Sequence, residues 1–258
     1  MTIDEIIANA LGEDIGDGDH TSLATIPEGT RGNARLIVKE NGILCGVGLA
    51  EKVFQKSDPS LKLDIYIRDG AAIYCNDIVF EVSGNKASIL QSERLVLNFM
   101  QRLSGIATAT NRVVKKLSGL NTRILDTRKT TPLLRELEKY AVMTGGGENH
   151  RMGLYDMIMI KDNHVDFAGG IENAIDAVQR YLIRTGKKLK VEIEVRNEDE
   201  LNRVLNHGGV DRIMLDNFSV ANLGKAVQLI DNRFETEASG GITELNVRSY
   251  AETGVDFI

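Results

Sequence analysis

The chain has 258 residues, 42% hydrophobic and 26% charged, a balance that excludes wholesale disorder. Its net charge of −6 excludes general nucleic-acid binding, because no excess of Lys and Arg exists to displace counterions from phosphates. Cys45 and Cys75 are too few for a disulfide framework and lack metal-ligand spacing, so they read as reduced thiols in a cytosolic protein. The start, Met1-Thr-Ile-Asp-Glu5, has acids where a signal peptide needs a basic region. No apolar run approaches the roughly 20 residues of a membrane helix, and a cytoplasmic protein is the expectation.

Residues 1–104 mix elements. Ile3, Ile6, Ile7 and Ala10 mark a short amphipathic helix. Asp14 to His20 is a loop by composition; its spacing does not match a Ca²⁺ loop. Ala34–Lys39 reads as a strand, Asn41-Gly42 as a turn, and Leu49–Phe54 as helix. Leu61–Ile67 alternates, and Ala71–Val82 holds one or two strands. A long helix is predicted from Ser88 to about Leu117, with a core stripe of Leu95, Phe99, Leu103 and Ile106. Arg94, Asn98, Gln101 and Arg102 lie off that stripe.

Beyond residue 123 apolar strands alternate with amphipathic helices. Strands are predicted at 122–125, 156–160, 189–195, 211–215, 234–238 and 254–258. Helices are predicted at roughly 132–143, 171–185, 198–207, 220–230 and 243–252. Such βα units imply a parallel sheet, either an open doubly wound sheet or a barrel short of the usual eight strands. In that class active sites lie past the C-terminal ends of the strands. There the sequence carries Asp126-Thr127-Arg128-Lys129, Lys161-Asp162-Asn163-His164, Glu194, Asp216-Asn217 and Ser239-Gly240-Gly241. Gly145-Gly-Gly147 and His150-Arg151 precede the second strand. Residues 123–164 hold seven Lys/Arg against six Asp/Glu, so the signal is position and not net charge. Glu192 and Glu194 face one side of their strand, which is costly to bury without compensation. Cations beside carboxylates suit a polyanionic substrate and a cationic transition state. The glycines after a late strand suit a phosphate cradle.

Seven motifs in order resemble the quinolinate phosphoribosyltransferase family over nearly the whole chain. They are Glu13-Asp-Ile-Gly-Asp-Gly-Asp-His-Thr-Ser22, Asn98-Phe-Met-Gln-Arg-Leu-Ser-Gly-Ile-Ala-Thr108 and Asp126-Thr-Arg-Lys-Thr-Thr-Pro132. Gly145-Gly-Gly-Glu-Asn-His-Arg151, Ile160-Lys-Asp-Asn-His164, Leu215-Asp-Asn-Phe218 and Glu237-Ala-Ser-Gly-Gly241 complete the set. The resemblance implies an α/β protein of type II phosphoribosyltransferase form. It would have an N-terminal α/β sandwich domain (1–104) and an incomplete parallel (β/α) barrel (105–258). It implies phosphoribosyl transfer from phosphoribosyl pyrophosphate to quinolinate, with loss of CO₂ and pyrophosphate. It also implies Mg²⁺ and a homodimer or higher oligomer with sites completed across the interface.

By the same resemblance Arg102 is lent to the neighbouring subunit's quinolinate site. Thr127, Arg128, His150 and Arg151 bind the substrate, the last three as dicarboxylate binders. Lys129 and Lys161 meet substrate carboxylate or pyrophosphate. Glu194 and Asp216 lie near the ribose and its metal, and with the two lysines form the catalytic set. Ser239, Gly240 and Gly241 form the 5′-phosphate turn. The family pattern continues into a Ser-x-Gly turn and a closing helix, and the sequence stops at Ile258, before both. A molybdenum-transport-associated paralogue and an inactive sugar-phosphate-binding subunit are the competing readings. The presence of Arg102, Arg128, His150 and Arg151 together favours quinolinate.

Overall fold

Thr2 and Glu5 close a capping box, each side chain bonded to the other's backbone N–H, and so start helix α1 (Ile3–Ile15). Ile6, Ile7 and Leu11 form its buried face. Asp19 then accepts from the Ser22 N–H at 3.1 Å and caps α2 (His20–Thr25). The predicted loop at 14–20 is therefore only a short link between two helices. The computed structural model describes residues 1–258.

Strands β1 (Arg31–Ile37) and β2 (Gly42–Ile43) follow, then α3 (Val47–Ser57). Next come β3 (Lys62–Ile65), β4 (Ala72–Ile73) and β5 (Ile78–Asn85), so the segment at 71–82 holds two strands. β5 is the centre of an antiparallel sheet ordered β1-β5-β3, and β2 pairs with β4. Helix α4 (Lys86–Lys116) buries Val96, Phe99, Met100, Leu103 and Ala107. The predicted stripe is thus rotated slightly: Leu95 and Ile106 are only partly buried. Two glycines let neighbouring backbone approach the buried face of α4. A Cβ on Gly46 would stand 3.3 Å from Leu103, and one on Gly145 would meet the Ala107 carbonyl at 2.4 Å. Gly145 ends α5 (Arg135–Thr144), so this glycine serves the close approach of α5 to α4.

Two compact units result. One is Met1–Asn111 with Thr130–Gly146, the other Arg112–Lys129 with Gly147–Ile258.

The second unit holds β6 (Ile158–Ile160), α6 (Asp162–Ala168), α7 (Ile171–Thr185) and β7 (Val191–Val195). It continues with α8 (Glu198–His207), β8 (Arg212–Asp216), α9 (Val220–Ile230), β9 (Glu235–Ser239) and α10 (Val247–Ala251). The four strands form a parallel sheet in the order β6-β7-β8-β9. Ala238 N–H donates to the Phe257 carbonyl at 2.9 Å, and Leu125 N–H to the Ile258 carbonyl at 2.8 Å. The two outermost predicted strands therefore continue the sheet as isolated parallel bridges. The result is an incomplete barrel. α6 was not foreseen: its first turn forms where the sequence suggests a polar loop. Lys161 N–H donates to His164 Nδ1 at 2.9 Å, and Gly169 ends the helix with φ +81°.

Period two divides the strands cleanly. Ile193, Val195, Ile213 and Leu215 pack in one apolar cluster with Ile171, Ile175, Leu201, Leu223 and Ile230 of α7, α8 and α9. Glu192, Glu194, Arg212, Asp216, Glu235, Glu237 and Ser239 occupy the alternate positions, which face away from those helices. The site is built on that second face. No helix is long and apolar enough to cross a membrane.

Candidate active site

The ends of β6 to β9 bring the expected groups together. Lys161 follows β6, Glu194 is the penultimate residue of β7, and Asp216 and Ser239 end β8 and β9 in register with each other. Lys161 Nζ lies 3.6 Å from Glu194 Oε2. Burial raises the Glu194 carboxyl above its ordinary value, and neighbouring Asp216 adds to this against the pull of Lys161. Asp216 Oδ2 accepts from Asn217 Nδ2 at 2.6 Å, and Asn217 N–H donates to the Ser239 carbonyl at 2.7 Å. Gly240 (φ +87°) crosses so close to Asn217 that a Cβ would stand 2.1 Å from its Oδ1. A Cβ on Gly241 (φ +67°) would meet nothing within 4 Å. The turn after β9 is therefore pinned on one side and open on the other.

Beneath this rim lies a charged cluster that the sequence reading only half found. His150 Nε2 lies 2.8 Å from Glu192 Oε2 and 3.5 Å from Glu237 Oε2. Glu192 is fully buried, and its Oε1 has no hydrogen-bond partner. Arg212 Nη1 donates to Glu237 at 3.0 Å, while its Nη2 donates to Glu235 at 3.1 Å. The Arg212 guanidinium sits 3.9 Å from the Phe257 ring centroid. Burial weighs against charge on His150, but Glu192 and Glu237 outweigh it and raise the imidazole to about 9. Burial also raises the Glu192 carboxyl. At Glu237 the same penalty is overcome by His150, Glu192 and Arg212, so this carboxyl is lowered. Arg212 and Glu237 were not singled out from sequence. Their signal was the period-two alternation that had flagged Glu192 beside Glu194.

The cations have distinct settings. Arg151 is half-buried, and burial together with the nearby Arg128 depresses its pKa. Two guanidiniums are thus held close enough to repel. Thr127 and Lys129 are exposed, and Thr127 Oγ1 accepts from the Lys129 N–H at 3.0 Å. Arg102, in the other unit, is exposed on α4 and bonded to Glu138 and Thr131. His164, exposed and among the strand-end residues, caps α6 by accepting from the Lys161 N–H.

Two donor sets compare as metal sites, one of carboxylates alone and one of a histidine with two carboxylates. Glu194 and Asp216 are carboxylates on adjacent strand ends, a donor set that fits a hard cation such as Mg²⁺. His150, Glu192 and Glu237 place ligand atoms within 4.8 Å of one another. There, however, Arg212 already neutralises Glu237, and His150 Nε2 is engaged by Glu192, which leaves only Glu192 Oε1 without a partner.

An open parallel barrel with carboxylates, lysine and a glycine turn at its strand ends is the plan of an α/β-barrel transferase for anionic substrates. Two family descriptions match the chain: "Quinolinate phosphoribosyl transferase, N-terminal domain" over residues 19–104 and its C-terminal domain over 106–258. A quinolinate phosphoribosyltransferase [decarboxylating] from Nicotiana tabacum is 44% identical, covering 98% of this chain and 76% of that protein. A probable nicotinate-nucleotide pyrophosphorylase [carboxylating] of a Synechocystis strain is 40% identical, covering 100% of this chain and 87% of the relative. Among solved structures, NadC from Streptococcus pyogenes superposes with a TM-score of 0.94 at 36% identity, covering 99% of this chain and 89% of that one. The nicotinate-nucleotide pyrophosphorylase of Francisella tularensis gives 0.93 at 40% identity, with the same coverage. The chain belongs to the quinolinate phosphoribosyltransferase family.

Proposed function

We propose that the protein transfers the phosphoribosyl group of phosphoribosyl pyrophosphate to the ring nitrogen of quinolinate. Loss of CO₂ and pyrophosphate then yields nicotinate mononucleotide, a step of NAD synthesis. The observation that carries this reading is the Arg128–Arg151 pair. Two cations held near each other in a half-buried setting favour a ligand with two adjacent carboxylates, which neutralises both.

Each residue then has a task. Arg128 and Arg151 hold the dicarboxylate, with Thr127 beside them and Arg102 contributed by a neighbouring subunit. Lys129 and Lys161 meet carboxylate or pyrophosphate oxygens as point charges. The turn Ser239-Gly240-Gly241 takes the 5′-phosphate on backbone N–H groups. Cleavage at C1′ builds oxocarbenium-like charge, and Glu194 or Asp216 stabilises it, as carboxylates do at glycosidic centres. The ribosylated pyridinium then accepts the electron pair left by the departing C2 carboxyl group. A desolvated setting favours that loss, because the compact carboxylate is poorly solvated there. Mg²⁺, held through Glu194 and Asp216, would supply charge neutralisation for the pyrophosphate leaving group. A cytoplasmic homodimer, or a higher oligomer, is the assembly this reading requires.

The test is release of CO₂ and pyrophosphate by purified protein given quinolinate, phosphoribosyl pyrophosphate and Mg²⁺, with nicotinate as the parallel substrate. Turnover with quinolinate and not nicotinate supports the two-carboxylate reading. Turnover with nicotinate alone overturns it.

A further inference from the structure

Two carbonyls of the turn after β9 are taken up by asparagines. The Ser239 carbonyl accepts from the Asn217 N–H at 2.7 Å. The Gly241 carbonyl accepts from Asn246 Nδ2 at 3.1 Å. The N–H groups of Gly240, Gly241 and Ile242 donate to no carbonyl and to no side chain. A carbonyl turned toward an anion repels it, whereas a run of free backbone N–H groups attracts one. Engaging the two oxygens elsewhere therefore favours the arrangement in which the N–H groups serve a ligand.

Each asparagine is fixed by its own second contact. Asn217 is left-handed, φ +56°, a backbone state that asparagine tolerates better than most residues. Its Nδ2 donates to Asp216 Oδ2 at 2.6 Å, and its Oδ1 lies 2.1 Å from where a Gly240 Cβ would stand. Asn246, just before α10, accepts from the Thr243 N–H on Oδ1 at 2.6 Å. Its amide therefore closes the loop that leads out of the turn.

We propose that Asn217 and Asn246 are positioning residues for the substrate phosphate, holding the turn Ser239-Gly240-Gly241 with its carbonyls engaged and its N–H groups open to a phosphate monoester. Asn217 does more. One amide side chain joins the turn to the Asp216 carboxylate, so the phosphate end and the ribose end of the site keep a fixed separation. Neither asparagine is charged, and each acts through the backbone it holds. The proposal rests on the phosphoribosyl reading of the site, and its binding arm needs no turnover.

Asn217→Gly keeps the left-handed backbone and deletes the amide. Asn246→Asp keeps the acceptor for the Thr243 N–H and deletes the donor to Gly241. Each variant should melt within about 4 °C of the wild type. Each should raise KM for phosphoribosyl pyrophosphate about tenfold, the effect of one lost hydrogen bond. KM for quinolinate should stay within about twofold, because its binders lie elsewhere. A purely structural turn residue predicts otherwise, since glycine suits a left-handed position best. A wild-type KM for phosphoribosyl pyrophosphate in either variant overturns the assignment of that residue. Ribose 5-phosphate, titrated by calorimetry without metal, gives a reading free of catalysis, and its Kd should rise by the same factor in both variants. In the wild-type protein the same titration should shift the amide NMR resonances of Gly240 and Gly241. Amides that do not move overturn the proposal, whether or not the variants fold. Shifted amides in a protein that does not turn over quinolinate would count against the quinolinate reading alone.

Discussion

Glu138 receives both Nε and Nη2 of Arg102 on one carboxylate oxygen, at 2.8 and 2.5 Å. Its other oxygen accepts from the Thr131 N–H at 3.1 Å. One acid on α5 thus ties an arginine of α4 to the Thr-Thr end of the Asp126–Pro132 motif. Burial would raise the Glu138 carboxyl, but Arg102 and Thr131 outweigh it and lower it. The carboxylate therefore contributes fully at neutral pH, and that contribution is lost as pH falls through its depressed value. Glu138→Gln should leave the protein folded and raise KM for quinolinate about tenfold, by loosening Arg102. An unchanged KM would show that Arg102 does not reach substrate from this position.

The proposed sharing of Arg102 gives a second outcome. Arg102→Ala and Lys161→Ala should each be nearly inactive alone. Mixed after dissociation and reassembly as dimers, half the assemblies carry one of each chain. In those, one site of two is intact, so about a quarter of wild-type activity should return. Mixing without recovery would put Arg102 and Lys161 in the same subunit's site.

The glycine turn separates two kinds of constraint. Gly240 has a left-handed backbone and no room for a side chain; Gly241 is left-handed with open space. Gly241→Ala should cost about 1 kcal/mol, from backbone strain alone. Gly240→Ala must displace Asn217, and with it the hydrogen bond that holds Asp216. It should raise KM for phosphoribosyl pyrophosphate tenfold or more. Equal effects of the two substitutions on KM would refute the pinned-turn reading.

The strand and helix rhythm of the second unit was legible because its apolar faces are regular. Helices α7, α8 and α9 match the predicted bounds to the residue. The segment 162–168 was not legible, since the cap of α6 is a backbone-to-histidine bond at a Lys-Asp-Asn-His stretch that propensity alone assigns to a loop. The site rim could be read from one residue past each strand. The layer beneath it could not: Arg212, Glu237 and Glu192 are compatible only once three strands set them side by side, and no local pattern encodes that. Gly145 shows the converse, a conspicuous glycine run whose first member serves helix packing.

The two thiols should differ sharply. Cys45 is fully buried, and burial pushes its thiol up to about 11. Cys75 is exposed in the turn after β4, where its N–H donates to Asn41 Oδ1. A water-soluble thiol reagent at pH 8 should therefore label one cysteine quickly, and peptide mapping should find it at Cys75. Cys45 should react only as the first unit opens. Fast labelling of both would mean that this core is not closed in solution.

Arg212 offers the sharpest test of how the barrel interior tolerates its acids. Its guanidinium is only 9% exposed at the side chain, and it is bonded to both Glu235 and Glu237. Glu237 is itself buried. Removing one partner of a buried ion pair typically costs about 3–5 kcal/mol, and His150, 3.5 Å from Glu237, retains part of the compensation, which puts the expected loss toward the lower end of that range. Arg212→Met preserves much of the side-chain volume against Phe257 and deletes the charge. Urea unfolding should therefore show a loss of that order, well beyond what lost packing explains. Adding Glu237→Gln to Arg212→Met should recover part of the loss, because the uncompensated charge is then gone. If Arg212→Met costs less than about 1 kcal/mol, the acids are balanced by something other than Arg212. If the double variant is no more stable than the single, the penalty lies in the stack on Phe257 and not in the charge.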